Sequence, residues 1–256
     1  RLPQLWRPMA GTALRRRLSW QRAEVLALRR ETDRACRLSL HPPDWSGHLP
    51  GQHVDVRLTD ADGYTAQRSY SIASPPEQSG IELIVERLTD GEVSPYLTDV
   101  LRAGDLLELR GPVGGYFVWP TGTDGPIQLI AGGSGVVPFL SMLGHHHATG
   151  GSRTVRLLYS ARTVDDLIGA AELEHHPATV EVDVTLTRGA PAGWLGLTGR
   201  VDAVLLAEHT VPPAQGPDLL VCGPTSFVEA VTGALIDLGH NPGRIKTERF
   251  GASGGP

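Results

Sequence analysis

The hydrophobic pattern of the sequence changes at one Gly/Pro/Thr-rich segment, PTGTDGP, which begins at Pro120. Before it, from about residue 21 to residue 112, apolar residues recur mostly at every second position, as in Val54, Val56 and Leu58. After it, short continuous apolar runs alternate with stretches of helical periodicity. A period of two is typical of antiparallel strands, whereas continuous runs separated by helices are typical of parallel strands buried on both faces. The pattern therefore predicts two domains of different class.

The first half contains six predicted strands and one short predicted helix, separated by turn-forming stretches such as DADG and PPEQSG. Many short strands with little helix favour a closed barrel, because closure removes exposed sheet edges. We expect a six-stranded antiparallel Greek-key β-barrel over residues 21–119, preceded by an N-terminal arm at residues 1–20. The strands are predicted near residues 23–30, 34–40, 52–59, 65–73, 80–87 and 105–110, and the helix from Ser94.

The second half, residues 126–256, is predicted to form an α/β domain with a doubly wound parallel sheet. Such sheets bind ligands at the carboxyl ends of their strands. Two predicted strands end there in glycine-containing turns that lead into helices, GGSG from Gly132 and CGP from Cys222. Glycine lets a phosphate approach the backbone, and a helix start offers free N–H groups. The first turn fits the dinucleotide fingerprint only in part, because Pro138 stands at the third glycine, and a plain strand-to-helix turn explains it equally well. The five strands are predicted to begin at Ile127, Val155, Val180, Asp218 and Arg244.

Composition excludes several functions. A formal net charge of −5 provides no basic field for nucleic acid, and no run of 18 apolar residues could span a membrane. The three arginines at 15–17 precede no apolar stretch, so we expect a solvated arm and no export signal. Cys36 and Cys222 cannot by themselves hold zinc or an iron–sulfur cluster, and they favour a reducing, cytoplasmic location. The consecutive histidines at 145–147 point about 100° apart on a helix, so we expect no metal site there.

Four motifs in this order resemble those of the ferredoxin-NADP reductase family of flavoproteins, and the resemblance extends over most of the chain. The family's Arg-x-Tyr-Ser matches Arg68, Tyr70 and Ser71, and its Gly-x-x-Ser matches residues 91–94. The two glycine-containing turns match the nucleotide-domain motifs of the family.

The resemblance implies a bound flavin, FAD in preference to FMN because the family mostly uses FAD. It implies that Arg68 binds the flavin phosphate and that Tyr70 lies against the ring or ribityl group. It also implies that Ser71 donates a hydrogen bond to the reactive ring nitrogen. Strand alternation sends Ser71 to the other face, so its role requires a bend at the strand's end. An edge strand with a surface arginine and a packed tyrosine is the alternative. The candidate flavin-binding residues are Arg68, Ser69, Tyr70, Ser71, Val85, Glu86, Arg87, Gly91, Val93, Ser94 and Phe250.

For the nucleotide, the resemblance places Cys222 beside the nicotinamide carbon that gives up hydride. It also implies that Glu248 relays a proton, so the predicted catalytic residues are Ser71, Cys222 and Glu248. Ordinary burial of Cys222 and of the last strand is the alternative. The candidate nucleotide-binding residues are Gly132, Gly133, Ser134, Gly135, Arg162, Arg188, Cys222, Gly223 and Pro224.

The choice between NADPH and NADH depends on the charges that follow the second and third parallel strands. Arg162 and Arg188 are cations of the kind that bind a 2′-phosphate, and they favour NADPH. Asp165 and Asp166 follow closely, and NADH-using relatives can also carry an arginine here. Both nucleotides therefore remain open.

These implications together describe an NAD(P)H-dependent flavoprotein reductase. Hydride passes from NAD(P)H to FAD, and electrons pass on to a separate acceptor protein such as a ferredoxin, an oxygenase or another redox enzyme. The alternative is a flavin-bearing electron-transfer or regulatory subunit that does not itself oxidise NAD(P)H. Related subunits of that kind normally add a cysteine cluster, which this sequence lacks.

Overall fold

The computed structural model describes residues 18–251, and Arg15–Arg17 of the predicted arm lie outside that range. The first six strands form one antiparallel sheet in the order β4-β3-β6-β1-β2-β5. Its two end strands meet through a bridge between Ile72 and Leu83, which closes the sheet. The predicted six-stranded barrel is therefore confirmed. The strands are β1 (Gln21–Arg30), β2 (Ala35–His41), β3 (His53–Thr59), β4 (Thr65–Ser71), β5 (Ile81–Glu86) and β6 (Leu106–Val113).

A short helical segment begins at Ser94, as the sequence predicts, and connects β5 to β6. Its second part, Tyr96–Val100, is a π-helical turn, in which the Leu101 N–H donates to the carbonyl of Tyr96 at 3.0 Å. Leu97 is fully buried against the barrel core. This packing fixes the loop that precedes the helix, residues 88–93, against the end of the barrel.

The second half contains a six-stranded parallel sheet in the order β10-β9-β8-β7-β11-β12. Five of its strands correspond to the five predicted ones. The two-residue β10 was not predicted, because so short a strand has no periodicity to detect. The strands are β7 (Ile127–Gly132), β8 (Val155–Ala161), β9 (Val180–Leu186), β10 (Leu197–Thr198), β11 (Asp218–Pro224) and β12 (Ile245–Phe250), and the helices are α1 (Val137–Ala148), α2 (Ala170–Glu174), α3 (Ala203–His209) and α4 (Thr225–Asp237).

Helices cover both faces of this sheet, as a doubly wound arrangement requires. On β7, Leu129 faces the apolar layer that contains α1, whereas Ile130 faces the layer that contains α3 and α4. The α1 layer also includes Ala73 and Phe117 from the first half of the chain, so the two halves share one apolar cluster. None of the helices within residues 18–251 is long and apolar enough to cross a bilayer.

A buried arginine links the two halves through ion pairs. Arg37 on β2 donates from Nε to Glu31 at 2.7 Å and from Nη1 to Glu82 at 2.8 Å, and its Nη2 donates to Glu172 on α2. Glu31 also accepts the backbone N–H of Gly169 at 3.3 Å. Burial disfavours the charged guanidinium, yet the hydrogen bonds to Glu31 and Glu82 outweigh it and raise the pKa of Arg37. The ion pair with Glu172 and the Glu31–Gly169 hydrogen bond thus add two polar contacts between the barrel and the sheet half.

Replacing Arg37 with methionine should lower the free energy of unfolding by about 3–5 kcal/mol, because Glu31 and Glu82 lose the buried cation that they share and Glu31 keeps only the exposed Arg29. Urea unfolding monitored by circular dichroism measures the change. Arg29→Met is the matched control, because Arg29 also contacts Glu31 but its side chain is 61% exposed. The control should change stability by less than about 1 kcal/mol. Equal losses in the two variants would contradict the role given to Arg37.

Candidate functional site

Strand β4 presents an arginine and a tyrosine on one face, as alternation predicts. Arg68 donates from Nη2 to Glu92 at 3.1 Å, and the Tyr64 hydroxyl donates to the other oxygen of Glu92 at 2.8 Å. Tyr70 packs against the barrel core, and burial raises its pKa to about 12, so its phenol stays protonated at neutral pH. Arg68 stays exposed and can reach a ligand anion in exchange for Glu92.

Three other predicted flavin residues direct their side chains elsewhere. Ser69, on the opposite face of β4, donates to Asp55 at 2.7 Å. Val85 is fully buried in the barrel core. Arg87 donates to Asp99 in the π-helical turn at 2.7 Å. Of these three residues, only the backbone is available to a ligand at the Arg68 face.

The loop of residues 91–94 is closed by its own serine. The Ser94 hydroxyl accepts the backbone N–H of Leu88 at 3.0 Å, and a Cβ on Gly91 would come within 2.8 Å of the Ser94 oxygen. The backbone N–H groups of Val93 and Ser94 donate to no other described residue. Free N–H groups in such a loop form an anion-binding surface.

These features fit the phosphate groups of a flavin nucleotide. Arg68 supplies a forked cation that matches phosphate oxygens, and Gly91 keeps the loop free of a side chain. The free N–H groups of Val93 and Ser94 add two neutral donors. Tyr70 supplies a flat apolar surface on the same face of β4 as Arg68.

The three predicted catalytic residues meet around a histidine. Ser71, the last residue of β4, lies opposite His53 in the β3–β4 register. His53 Nδ1 is 3.9 Å from Glu248 Oε1, and Cys222 Sγ is 3.9 Å from Glu248 Oε2. The parallel β11–β12 register pairs Cys222 directly with Glu248. His53 was not predicted from the sequence. Its strand, β3, pairs with β4, which ends at Ser71, so the pairing register is the signal that could have identified it.

Burial sets the charge state of this cluster. It raises the pKa of Glu248 to about 7 and lowers the pKa of His53 below its usual value. Burial, and after it the nearby Glu248 carboxylate, raises the pKa of the Cys222 thiol well above its usual value. At neutral pH the imidazole and the thiol are therefore uncharged, and Glu248 is the member of the cluster that gains or loses a proton.

The two glycine turns of the sheet half pack directly on each other. Gly133 has a φ of +56°, which glycine adopts without strain. A Cβ on Gly135 would collide with the backbone carbonyl of Cys222, and a Cβ on Gly223 would come within 2.7 Å of the Phe227 ring. The turns therefore bring bare backbone to the carboxyl ends of β7 and β11, where a phosphate can approach.

A cavity of about 280 Å³ lies beside these turns. Residues 132–134 line one side, and Arg162, Asp166 and Phe250 line others. Glu86 reaches the cavity from the barrel half. Glu86 and Phe250, both predicted to contact flavin, thus lie where a nicotinamide nucleotide is expected.

The two arginines predicted to favour NADPH differ in their position relative to the cavity. Arg162 lines the cavity, but its Nη2 donates to Asp166 at 3.0 Å and to Glu86 at 3.3 Å. Arg188 is exposed and lies outside the cavity, because Thr187 is the residue that faces inward after β9. The guanidinium of Arg162 is therefore already paired, and that of Arg188 does not line the cavity.

The consecutive histidines of α1 bind separate partners. His145 contacts Glu77 at 2.7 Å, and His146 contacts Thr179 at 3.0 Å. Within residues 18–251, no group of three or more His, Cys, Asp or Glu side chains is arranged to hold a metal ion.

Comparison with known families gives two matches that together cover most of the chain. Residues 30–118 match the family described as "Oxidoreductase FAD-binding domain". Residues 129–233 match the family described as "Oxidoreductase NAD-binding domain". The two matches fall on the barrel half and the sheet half respectively.

Individual proteins and structures resemble the chain over a similar extent. The glycine betaine monooxygenase reductase subunit of Chromohalobacter salexigens is 33% identical over 80% of this chain, which spans 56% of that relative. NADH-cytochrome b5 reductase 1 of Lodderomyces elongisporus is 32% identical over 80% of this chain and 69% of that protein. The crystal structure of the Amycolatopsis cytochrome P450 reductase GcoB superimposes with a TM-score of 0.78 and 29% identity, covering 91% of this chain and 70% of that one.

The raised pKa of Glu248 makes stability depend on pH in a defined direction. The unfolded chain ionises this carboxyl near 4.5 and the folded chain near 7, so the stabilisation is present below pH 4.5 and is lost as pH rises to 7. Glu248→Gln has no carboxyl to ionise, so it does not lose this stabilisation as pH rises. From pH 5 to pH 8 the variant should gain about 1–3 kcal/mol of stability relative to the unmodified protein.

Urea unfolding of holoprotein with equal flavin content at the two pH values tests this expectation. Glu229→Gln is the control, because the Glu229 side chain is 61% exposed and its substitution should give no pH-dependent difference. A Glu248→Gln difference that does not change between pH 5 and pH 8 would contradict the assigned protonation.

Proposed function

Because this chain belongs to the ferredoxin-NADP reductase family of FAD- and NAD-binding oxidoreductases, we propose that it oxidises a nicotinamide nucleotide and delivers the electrons to a separate redox protein. The observation that carries this proposal is the meeting of Ser71 and His53 from the barrel with Cys222 and Glu248 from the sheet. When bound, FAD supplies the chemistry of accepting a hydride and releasing electrons singly.

The chain's own residues divide the binding between the two halves. Arg68 and the N–H groups of Val93 and Ser94 would hold the flavin phosphates, and Tyr70 would lie against the flavin. The turn at residues 132–135 would hold the pyrophosphate of the nicotinamide nucleotide, because it offers backbone N–H groups free of side chains. Arg68 and Tyr70 lie on β4, and the glycine turn directly follows β7, so regular elements of the scaffold position these groups.

Glu248 is the residue that we assign to proton movement. It is buried enough for a pKa of about 7, yet its side chain is still 25% exposed, so it can exchange a proton with solvent near neutrality. His53 and the Cys222 thiol flank Glu248 and are both neutral. Among these three groups, ionised Glu248 therefore carries the only charge. Cys222 keeps the nucleotide side of the cluster small and apolar.

The donor that the cavity favours is NADH. Asp166 lines the cavity after β8, where a carboxylate accepts hydrogen bonds from ribose hydroxyls and repels a 2′-phosphate. Arg162, the cation nearest to it, is shared between Asp166 and Glu86. This geometry reverses the preference for NADPH that the arginines alone suggest in the sequence.

The electron acceptor that we propose is a separate protein that takes electrons singly, such as a haem or iron–sulfur protein. The names of the similar proteins support this class, since they include a monooxygenase reductase subunit and a cytochrome b5 reductase.

The purified protein should bind FAD and catalyse reduction of ferricyanide by NADH. A visible spectrum after reconstitution with FAD tests the first expectation, and steady-state turnover tests the second. Mass spectrometry of the released cofactor distinguishes FAD from FMN. A protein that lacks flavin absorption after reconstitution would refute the proposal, and flavin binding without turnover by either nucleotide would support a non-enzymatic electron-transfer subunit.

Neutralising Asp166 should shift the nucleotide preference. Asp166→Asn removes the repulsion of a 2′-phosphate and leaves Glu86 as the carboxylate paired with Arg162, so kcat/KM with NADPH should rise about tenfold, which corresponds to ~1.4 kcal/mol. Asp165→Asn is the control, because Asp165 is exposed and does not line the cavity. An unmodified protein that prefers NADPH, or equal changes in the two variants, would contradict the role of Asp166.

A further inference from the structure

We propose that Arg34, on the barrel half, is a second binding residue for the pyrophosphate of the nicotinamide nucleotide, facing the glycine turn across the cavity. This assignment rests on the proposed function and extends it to a residue of the other half of the chain. Arg34 lies in the β1–β2 hairpin, outside all four motifs that identify the family. The nucleotide is therefore contacted by both halves of the chain and not by the sheet half alone.

The first observation is position. Arg34 lines the same cavity as Gly132, Gly133 and Ser134, the turn proposed to hold the pyrophosphate. Its place is fixed by the barrel, because Ala35 pairs with Glu86 in the β2–β5 register and the Arg34 carbonyl accepts the N–H of Arg87 at 2.7 Å. The backbone at Arg34 is thus a continuation of the β2–β5 ladder.

The second observation is that, among residues 18–251, the side chain of Arg34 makes one loose ion pair and no hydrogen bond. It is 44% exposed, and its nearest anion, Glu86, is 3.8 Å away, a distance typical of a loose surface pair. The bond that anchors the hairpin uses the backbone carbonyl and is independent of the guanidinium. A substitution of the side chain therefore leaves the ladder intact.

The third observation is the balance of charge in the cavity. Glu86 Oε1 lies 3.8 Å from Arg34 and 3.3 Å from Arg162, so one carboxylate oxygen is placed near two guanidinium groups from the two halves. Asp166 contacts the same Nη2 of Arg162 at 3.0 Å. Arg162 thus has two anions close to it and Arg34 only one, held loosely. Of the two cations, Arg34 is the one free to turn toward a phosphate.

Calorimetric titration of the FAD-loaded protein with ADP-ribose tests the assignment, because ADP-ribose carries the pyrophosphate without the nicotinamide. Arg34→Gln should weaken binding roughly three- to tenfold, and the weakening should shrink as salt is raised. Arg34→Lys, which keeps the charge, should retain most of the affinity. Arg30→Gln is the control: it lies in the neighbouring strand end, is 57% exposed and points at Asp99, outside the cavity.

The outcomes separate this inference from the function on which it rests. If the unmodified protein binds ADP-ribose and Arg34→Gln binds it equally well, or no worse than Arg30→Gln, the assignment is wrong while the function stands. If the unmodified protein binds no ADP-ribose, both fail. A loss confined to NADP⁺, with NAD⁺ and ADP-ribose unaffected, would place Arg34 at a 2′-phosphate and overturn the pyrophosphate assignment. FAD content should be equal in all variants.

Discussion

The close approach of two backbones at the carboxyl ends of β7 and β11 is the constraint on which the site depends. A side chain at Gly135 would collide with the carbonyl of Cys222, so the turn after β7 can reach β11 only as glycine. This contact fixes the turn's N–H groups and Cys222 in one rigid unit. The β11–β12 register then places Glu248 beside Cys222, at the edge of the sheet that faces His53 of the barrel. The glycine contact therefore places the turn beside Cys222, and the strand register places Glu248 on the other side of Cys222.

The second requirement is that the two halves keep a fixed orientation, since His53 and Glu248 come from different halves and are only 3.9 Å apart. Apolar contact alone is non-directional and tolerates sliding. Arg37 adds direction, because its guanidinium is held by Glu31 and Glu82 of the barrel and donates to Glu172 of the sheet half. The His53–Glu248 pair and the Arg37–Glu172 pair thus each join the barrel to the sheet half.

The sequence could predict the elements of the fold but only part of the site. Periodicity located the six barrel strands and five of the six parallel strands, because each buries apolar side chains in a repeating pattern. Motifs pointed to Ser71, Cys222 and Glu248 but not to His53, whose role arises from a strand register. The pairing of Arg162 with Glu86 was equally hidden, since the two residues are 76 positions apart. Ion pairs across a domain interface leave no local signal.

These ion pairs change how strongly the arginines can bind an anionic ligand. Arg68 is held by Glu92, and Arg162 by Glu86 and Asp166, so at each proposed ligand site the cation already has a carboxylate partner. A phosphate that binds there replaces a carboxylate as the partner of the arginine. The binding free energy is then the difference between two ion pairs, which is far smaller than the binding free energy at an unpaired arginine. Selectivity then depends on which carboxylates can be displaced. Glu92 is about half exposed and can turn to solvent, whereas Asp166 is also held by Thr163 at 2.9 Å. The proposed flavin-phosphate site would therefore be easily opened by its ligand, and the position beside Asp166 would continue to exclude a second negative charge.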